Sequence, residues 1–136
     1  MINELCKKAH ANAVNKGFWE EDKSFGEQIA LMHSELSEAL EEYRDGRGID
    51  SVYFQCKLPQ NISCNIGQIN GVCLTNISPI ENQCESAKPC GIPIELADVL
   101  IRIFDTCGRY GIDLEQAIEI KMKYNESRPY KHNKVI

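Results

Sequence analysis

The sequence predicts an all-α domain, a four-helix bundle-like fold with a cysteine-rich insertion between its second and third helices. Three observations predict it. Apolar residues recur at helical spacing in four separate stretches, and capping patterns or helix-stopping Gly and Pro bound those stretches. Residues 46–91 lack that period while holding five of the seven cysteines. At 136 residues the chain is long enough for one continuous core but short for two, so a single domain over 1–136 is expected, with the insertion at about 46–91.

The first helix carries Ile2, Leu5, Cys6, Ala9 and Ala13 on one stripe and ends at Gly17. "SFGE" then forms a capping box, with Ser24 at the cap and Glu27 reaching back. The helix it opens runs to about Arg44, where "DGRG" stops it, and lines Ile29, Met32, Leu36, Leu40 and Tyr43 along one face. A third helix starts at "GIPIE", with Pro93 suited to the first turn. Its main stripe is Leu96, Val99, Leu100, Ile103 and Cys107, yet Ile94 and Ile101 are apolar on the far side, so it should be covered on more than one face. "DLEQ" is a second capping pattern, from Asp113 to Gln116, and the last helix runs from Leu114 to about Ser127, before Pro129. Within the insertion, "SVYF" and "GVCL" are short β-prone pieces that suggest a small hairpin.

Composition narrows the function. A net charge of −5 argues against nucleic acid as the main partner, because phosphate binding needs a basic surface. An anionic substrate therefore calls for a metal ion or a local basic cluster. No apolar run has the length of a membrane span, and the first ten residues have no signal-peptide core, so the expected address is the cytoplasm. That reducing compartment disfavours stable disulfides, and the cysteine count is odd.

The informative residues are acids on apolar helices. Residues three and four apart share a helical face, so Glu35, Glu38 and Glu42 make one acidic strip and Glu95, Asp98 and Asp105 another, with Arg102 among them. If the two helices pack antiparallel, the strips face each other. Glu38 lies ~9 Å from the end of its helix at ~1.5 Å rise per residue, and Glu95 is within the first turn of its own. Both pairs then sit at similar height. Four converging carboxylates repel unless neutralised, and oxygen-only ligation suits Mg²⁺ or Mn²⁺ rather than zinc. Mg²⁺ commonly bridges to substrate phosphates, which points to phosphate chemistry. A solvated acidic face is the plain alternative.

"ELSEALE", then "ELADVLIRIFD", then "GIDLEQAIEIKMKYNESRPYKH" resembles the MazG-like all-α nucleoside triphosphate pyrophosphohydrolases over residues 1–45 and 90–134. The resemblance implies a metal site of Glu35, Glu38, Glu95 and Asp98, with Glu35 or Glu38 activating water as the catalytic residue. It implies substrate contacts from Lys121, Asn125 and Arg128 on and after the last helix, and a base pocket involving Phe18 and Trp19 of "KGFW". It also implies a homodimer or dimer of dimers. The implied activity is cleavage of a nucleoside triphosphate between its α- and β-phosphates. The insertion departs from the family, separating Glu38 from Glu95 by far more chain than usual.

Rival readings stay open. The same scaffold would serve a phosphoribosyl-nucleotide pyrophosphohydrolase, or a non-catalytic, cysteine-rich binding or regulatory module. Lys121 and Lys123 are otherwise solvated charges, Trp19 a core aromatic, His33 a surface or interface residue and "RPYKHNK" a basic tail. Cys56, Cys64, Cys73, Cys84 and Cys90 lack the Cys-x-x-Cys spacing of a zinc ribbon, so reduced loop thiols are the better reading. From its position the insertion would act as a lid over the substrate.

Overall fold

In the computed structural model, which describes residues 1–56, 68–69, 72–73 and 87–133, most of the chain is helical. Its helices are α1 (Ile2–Asn15), α2 (Phe25–Arg44), α3 (Ile92–Tyr110) and α4 (Leu114–Ser127), followed by a 3₁₀ turn at Tyr130–Asn133. Two compact units share them: Met1–Gln28 with Ile101–Ile136, and Ile29–Leu100.

The ends of the helices follow from local chemistry. Gly17, at φ +82°, turns the chain out of α1, in a left-handed conformation that suits glycine. Ser24 N–H donates to Glu27 Oε2 at 2.6 Å and Glu27 N–H donates to Ser24 Oγ at 3.2 Å, so the capping box of α2 closes in both directions. These bonds hold the Glu27 carboxyl below its ordinary range. Asp113 caps α4 by accepting from Gln116 N–H at 3.0 Å. It also accepts from Asn3 Nδ2 at 2.8 Å, and Asn3 Oδ1 accepts from Glu115 N–H at 3.2 Å, which joins the start of α1 to the start of α4. The Asn3 bond and then the cap lower the Asp113 carboxyl.

In the unit containing both chain ends, α3 approaches α1 closely at Gly108. A Cβ there would lie 2.6 Å from the Cys6 carbonyl oxygen and 2.6 Å from His10 Cβ, so only a bare backbone fits. Cys6 and Cys107 are buried free thiols, and burial pushes both upward. Nearby, His10 Nδ1 lies 2.8 Å from Asp105 Oδ1, and Trp19 Nε1 donates to the same oxygen at 2.9 Å.

Beside the helices, a small sheet forms within the insertion. The insertion contributes β1 (Tyr53–Cys56), β2 (Gln68–Ile69), β3 (Val72–Cys73) and β4 (Ala87–Cys90), in a four-stranded sheet of order β2-β3-β1-β4 with antiparallel pairing. The stretches "SVYF" and "GVCL" do enter strands, but the partner of β1 on its other side is "AKPC", from the far end of the insertion. Tyr53 pairs with Cys90 and Cys56 with Ala87, closing the insertion at its base. Pro89 hid β4 from sequence reading. It is tolerated because β4 is an edge strand, where a missing N–H breaks no ladder. Cys64 and Cys84 lie outside the described residues.

Two contacts fix that base in the second unit. Tyr53 Oη lies 2.9 and 3.0 Å from the two Glu42 carboxylate oxygens, with the Arg47 guanidinium 4.1 Å above the Tyr53 ring. Burial, then the bond to Glu42, pushes the Tyr53 phenol up to about 12. At the other strand end Gly91 takes φ +119°, and any Cβ there would collide with the Ser51 carbonyl oxygen.

The stripes of α2 are inverted relative to ordinary amphipathic packing. Glu35 and Ala39 are buried, whereas Leu36 and Leu40 are each 47% exposed and Ile29 and Tyr43 are exposed as well. On α3, Leu96, Leu100 and Ile101 are also exposed, whereas Ile92 and Cys107 are buried. Polar groups take the inner position and the apolar stripe faces outward.

Candidate metal centre

The carboxylates that a helical wheel places on two strips come together in the second unit. Ligand oxygens of Glu35 on α2 and of Glu95 and Asp98 on α3 lie within 4.8 Å of one another. Glu35 is 7% and Glu95 8% exposed, while Asp98 is less covered. Glu38, one turn after Glu35, is exposed and hydrogen-bonded to Glu95. Three of the four acids singled out in the sequence thus form one cluster, and Glu38 adjoins it through Glu95.

Local structure explains the convergence. Gly91 ends β4 and its carbonyl accepts from both Ile94 and Glu95 N–H at 3.0 Å, which starts α3 and places Glu95 in its first turn. Asp98 follows one turn later on the same face. Glu35 and Ala39 share the buried face of α2.

Crowding shows in the electrostatics. The Glu95 carboxyl is pushed up to about 7, first by burial, then by the charge and hydrogen bond of Glu38 and by the charge of Asp98. The Lys88 ammonium on β4 works in the opposite direction. Burial and the neighbouring acid charges favour the protonated form of Glu95. A hard dication would offset the same repulsion while leaving every carboxylate ionised. The donor set, oxygen only and partly buried, fits Mg²⁺ or Mn²⁺.

The strips shorten in the folded chain. Glu42 is drawn off by Tyr53, and Asp105 by His10 and Trp19, so neither extends the cluster as the helical wheel suggested. The sequence reading also missed Lys88, because a lysine in an irregular segment carries no period to mark it.

The residues matched to substrate binding lie in the other unit. Lys121, Asn125 and Arg128 fall at helical spacing on and just after α4, a helix with no buried residue. The Lys121 ammonium and the Arg128 guanidinium sit 5.0 and 5.4 Å from the Tyr124 ring centroid, so one exposed aromatic holds both cations. Phe18 is 62% exposed. Trp19 is half-buried, its N–H held by Asp105, its ring edge-on to His10, with the Arg109 guanidinium 4.9 Å from the ring. His33 is exposed.

No family model matches this chain, and no curated protein or solved structure matches it either. Function therefore has to be argued from the acid cluster itself. Among the described residues, Cys6, Cys90 and Cys107 are free thiols, and the only metal-capable group of three or more ligands is the carboxylate one. No described helix is long and apolar enough to cross a membrane.

Proposed function

We propose that the chain is a Mg²⁺-dependent nucleoside triphosphate pyrophosphohydrolase of the MazG-like all-α bundle type, acting in the cytoplasm on the nucleotide pool. The observation that supports it most is the group of three carboxylates within 4.8 Å, two of them buried, with Glu95 raised to about 7 by its neighbours. Burying acids among like charges is costly, and a bound cation would offset that cost.

Glu35, Glu95 and Asp98 would hold the metal, with Glu38 completing the set. Bound Mg²⁺ or Mn²⁺ would supply Lewis acidity toward phosphoryl oxygens and a more acidic water. Glu38 is exposed and beside the buried acids, which suits it to orient the attacking water and take its proton. Glu35 is the other acid fitted to that role. Water oxygen bonds to the α-phosphorus, the bond from that phosphorus to the α,β-bridging oxygen breaks, and pyrophosphate leaves. The substrate roles of Lys121, Asn125, Arg128, Phe18 and Trp19, and of Lys131 beyond them, rest on the resemblance; cations there would offset leaving-group charge.

The test is a pyrophosphate-release screen over canonical, modified and phosphoribosylated triphosphates, with and without Mg²⁺. Metal-dependent release of monophosphate and pyrophosphate in equal amounts is expected for at least one nucleotide. Preference for a phosphoribosylated substrate would select the second enzyme reading, and no release from any substrate would remove both.

The proposed enzyme is a homodimer or dimer of dimers. Its support is the outward apolar stripe of Ile29, Leu36, Leu40 and Tyr43, which a second copy would cover. Leu36→Glu with Leu40→Glu should reduce the mass measured by light scattering to that of one chain. A wild-type protein already at monomer mass, or an unaltered oligomer in the double variant, would rule this stripe out as the interface.

A further inference from the structure

The unit that holds the acid cluster also holds the base of the insertion, and a run of direct contacts joins α2 to α3 through that base. It starts on α2. Tyr53 Oη donates to both Glu42 carboxylate oxygens, at 2.9 and 3.0 Å, and Glu42 lies one turn beyond Glu38 and two beyond Glu35. The Arg47 guanidinium covers the Tyr53 ring from 4.1 Å, and its Nε lies 3.9 Å from Glu42 Oε2. Across the ladder Tyr53 pairs with Cys90, which is buried, and Gly91 follows. Gly91, at φ +119°, packs so closely on Ser51 and Val52, the two residues before Tyr53, that no Cβ fits. Its carbonyl accepts from Glu95 N–H at 3.0 Å. The path from Glu42 to Glu95 thus runs through Tyr53, Cys90 and Gly91, each step a printed bond, a strand pair or a chain link.

We propose that Tyr53 is a positioning residue for the metal centre, a strut through which the base of the insertion sets the spacing between the acids of α2 and those of α3. This rests on the pyrophosphohydrolase reading and deepens it, because it gives the insertion a part in the site. The physical reason is repulsion. Glu35 comes from one helix and Glu95 and Asp98 from another, so their like charges push α2 and α3 apart. Mg²⁺ tolerates little departure from octahedral geometry, and its ligands have to be held against that push. A phenol donating to a carboxylate is a short, charge-assisted tie, and the Arg47 guanidinium on the ring stiffens it. Glu42 is then part of the strut and not a ligand.

Tyr53→Phe removes one oxygen and leaves the ring, the ladder and every formal charge in place. Calorimetric titration with Mn²⁺ alone should show about tenfold weaker binding than wild type, with the helical circular dichroism signal unchanged. At saturating Mg²⁺, kcat should fall about tenfold while KM for the triphosphate stays within about twofold. Glu42 supplies a second pair of variants. Glu42→Gln keeps an oxygen for the phenol and should bind Mn²⁺ within about threefold of wild type, whereas Glu42→Ala should match Tyr53→Phe, and combining the two should weaken binding no further. A tyrosine that only stabilises the fold would lower the melting temperature and leave Mn²⁺ affinity and kcat at wild-type values, which would overturn the proposal. If Tyr53→Phe loses the helical signal, equal Mn²⁺ affinities in Glu42→Gln and Glu42→Ala overturn it instead. The wild type keeps the two failures apart. Mn²⁺ uptake without pyrophosphate release removes the enzyme reading, and the affinity comparison then upholds or overturns the strut by itself. No Mn²⁺ uptake by the wild type removes both.

Discussion

Glu38→Gln is expected to lower Mg²⁺-dependent kcat by at least about 100-fold while leaving the helical circular dichroism signal unchanged. The size follows from the role. A positioned general base typically contributes ~10²–10⁴-fold, and an amide cannot accept the proton of the attacking water. The fold should tolerate the change because Glu38 is exposed, and glutamine keeps the length and a carbonyl oxygen able to accept the bond from protonated Glu95. Removing one negative charge from beside Glu95 even relieves repulsion, so the variant should melt no lower than wild type. Full turnover in this variant would remove Glu38 from the catalytic set. Loss of the helical signal would instead assign it a structural part.

Metal-free protein should become less stable as pH rises from about 4.5 to about 7. Glu95 is the cause, with a carboxyl raised from its ordinary value to about 7 by burial and by Glu38 and Asp98. Its folded form binds a proton more tightly than its unfolded form. The stabilisation is therefore complete below the unfolded value and is lost as pH rises through the folded one. At ~1.4 kcal/mol per pH unit the loss is on the order of 2–3 kcal/mol, roughly 10 °C in melting temperature for a chain of this size. Thermal melts in a chelator across this range measure it, and Glu95→Gln should flatten the profile. Added Mg²⁺ should restore stability at pH 7 and above, where the ionised cluster binds it best. A wild-type profile as flat as that of Glu95→Gln would mean that the acids do not crowd one another.

How far the fold could be read from sequence differs from element to element. Ser24 with Glu27 and Asp113 with Gln116 announced the starts of α2 and α4, because a cap is a bond between residues three apart and needs nothing distant. The same holds for the acid pairs, since helical spacing alone puts Glu35 beside Glu38 and Glu95 beside Asp98. β4 escaped notice because a strand with a central proline is recognisable only once its edge position is known. Lys88 escaped notice for the same reason. Glu42 and Asp105 misled in the other direction: each continues an acidic strip, yet Tyr53, His10 and Trp19 claim them through partners far along the chain.

Helix boundaries, capping and the pairing of acids are short-range matters, and the order of residues along the chain decides them without help. Which side of each helix turns inward is a different kind of question. The period of α2 gives two stripes about 100° apart, one apolar and one carrying Glu35 and Ala39, and no local rule says that the second is the one to be covered. Packing of α2 and α3 within their shared unit settled that, gathering Glu35, Glu95 and Asp98 within 4.8 Å and leaving Leu36 and Leu40 outside. Burial depends on what the rest of the chain brings alongside, and the energy of a charge cluster depends on separations that only three dimensions define.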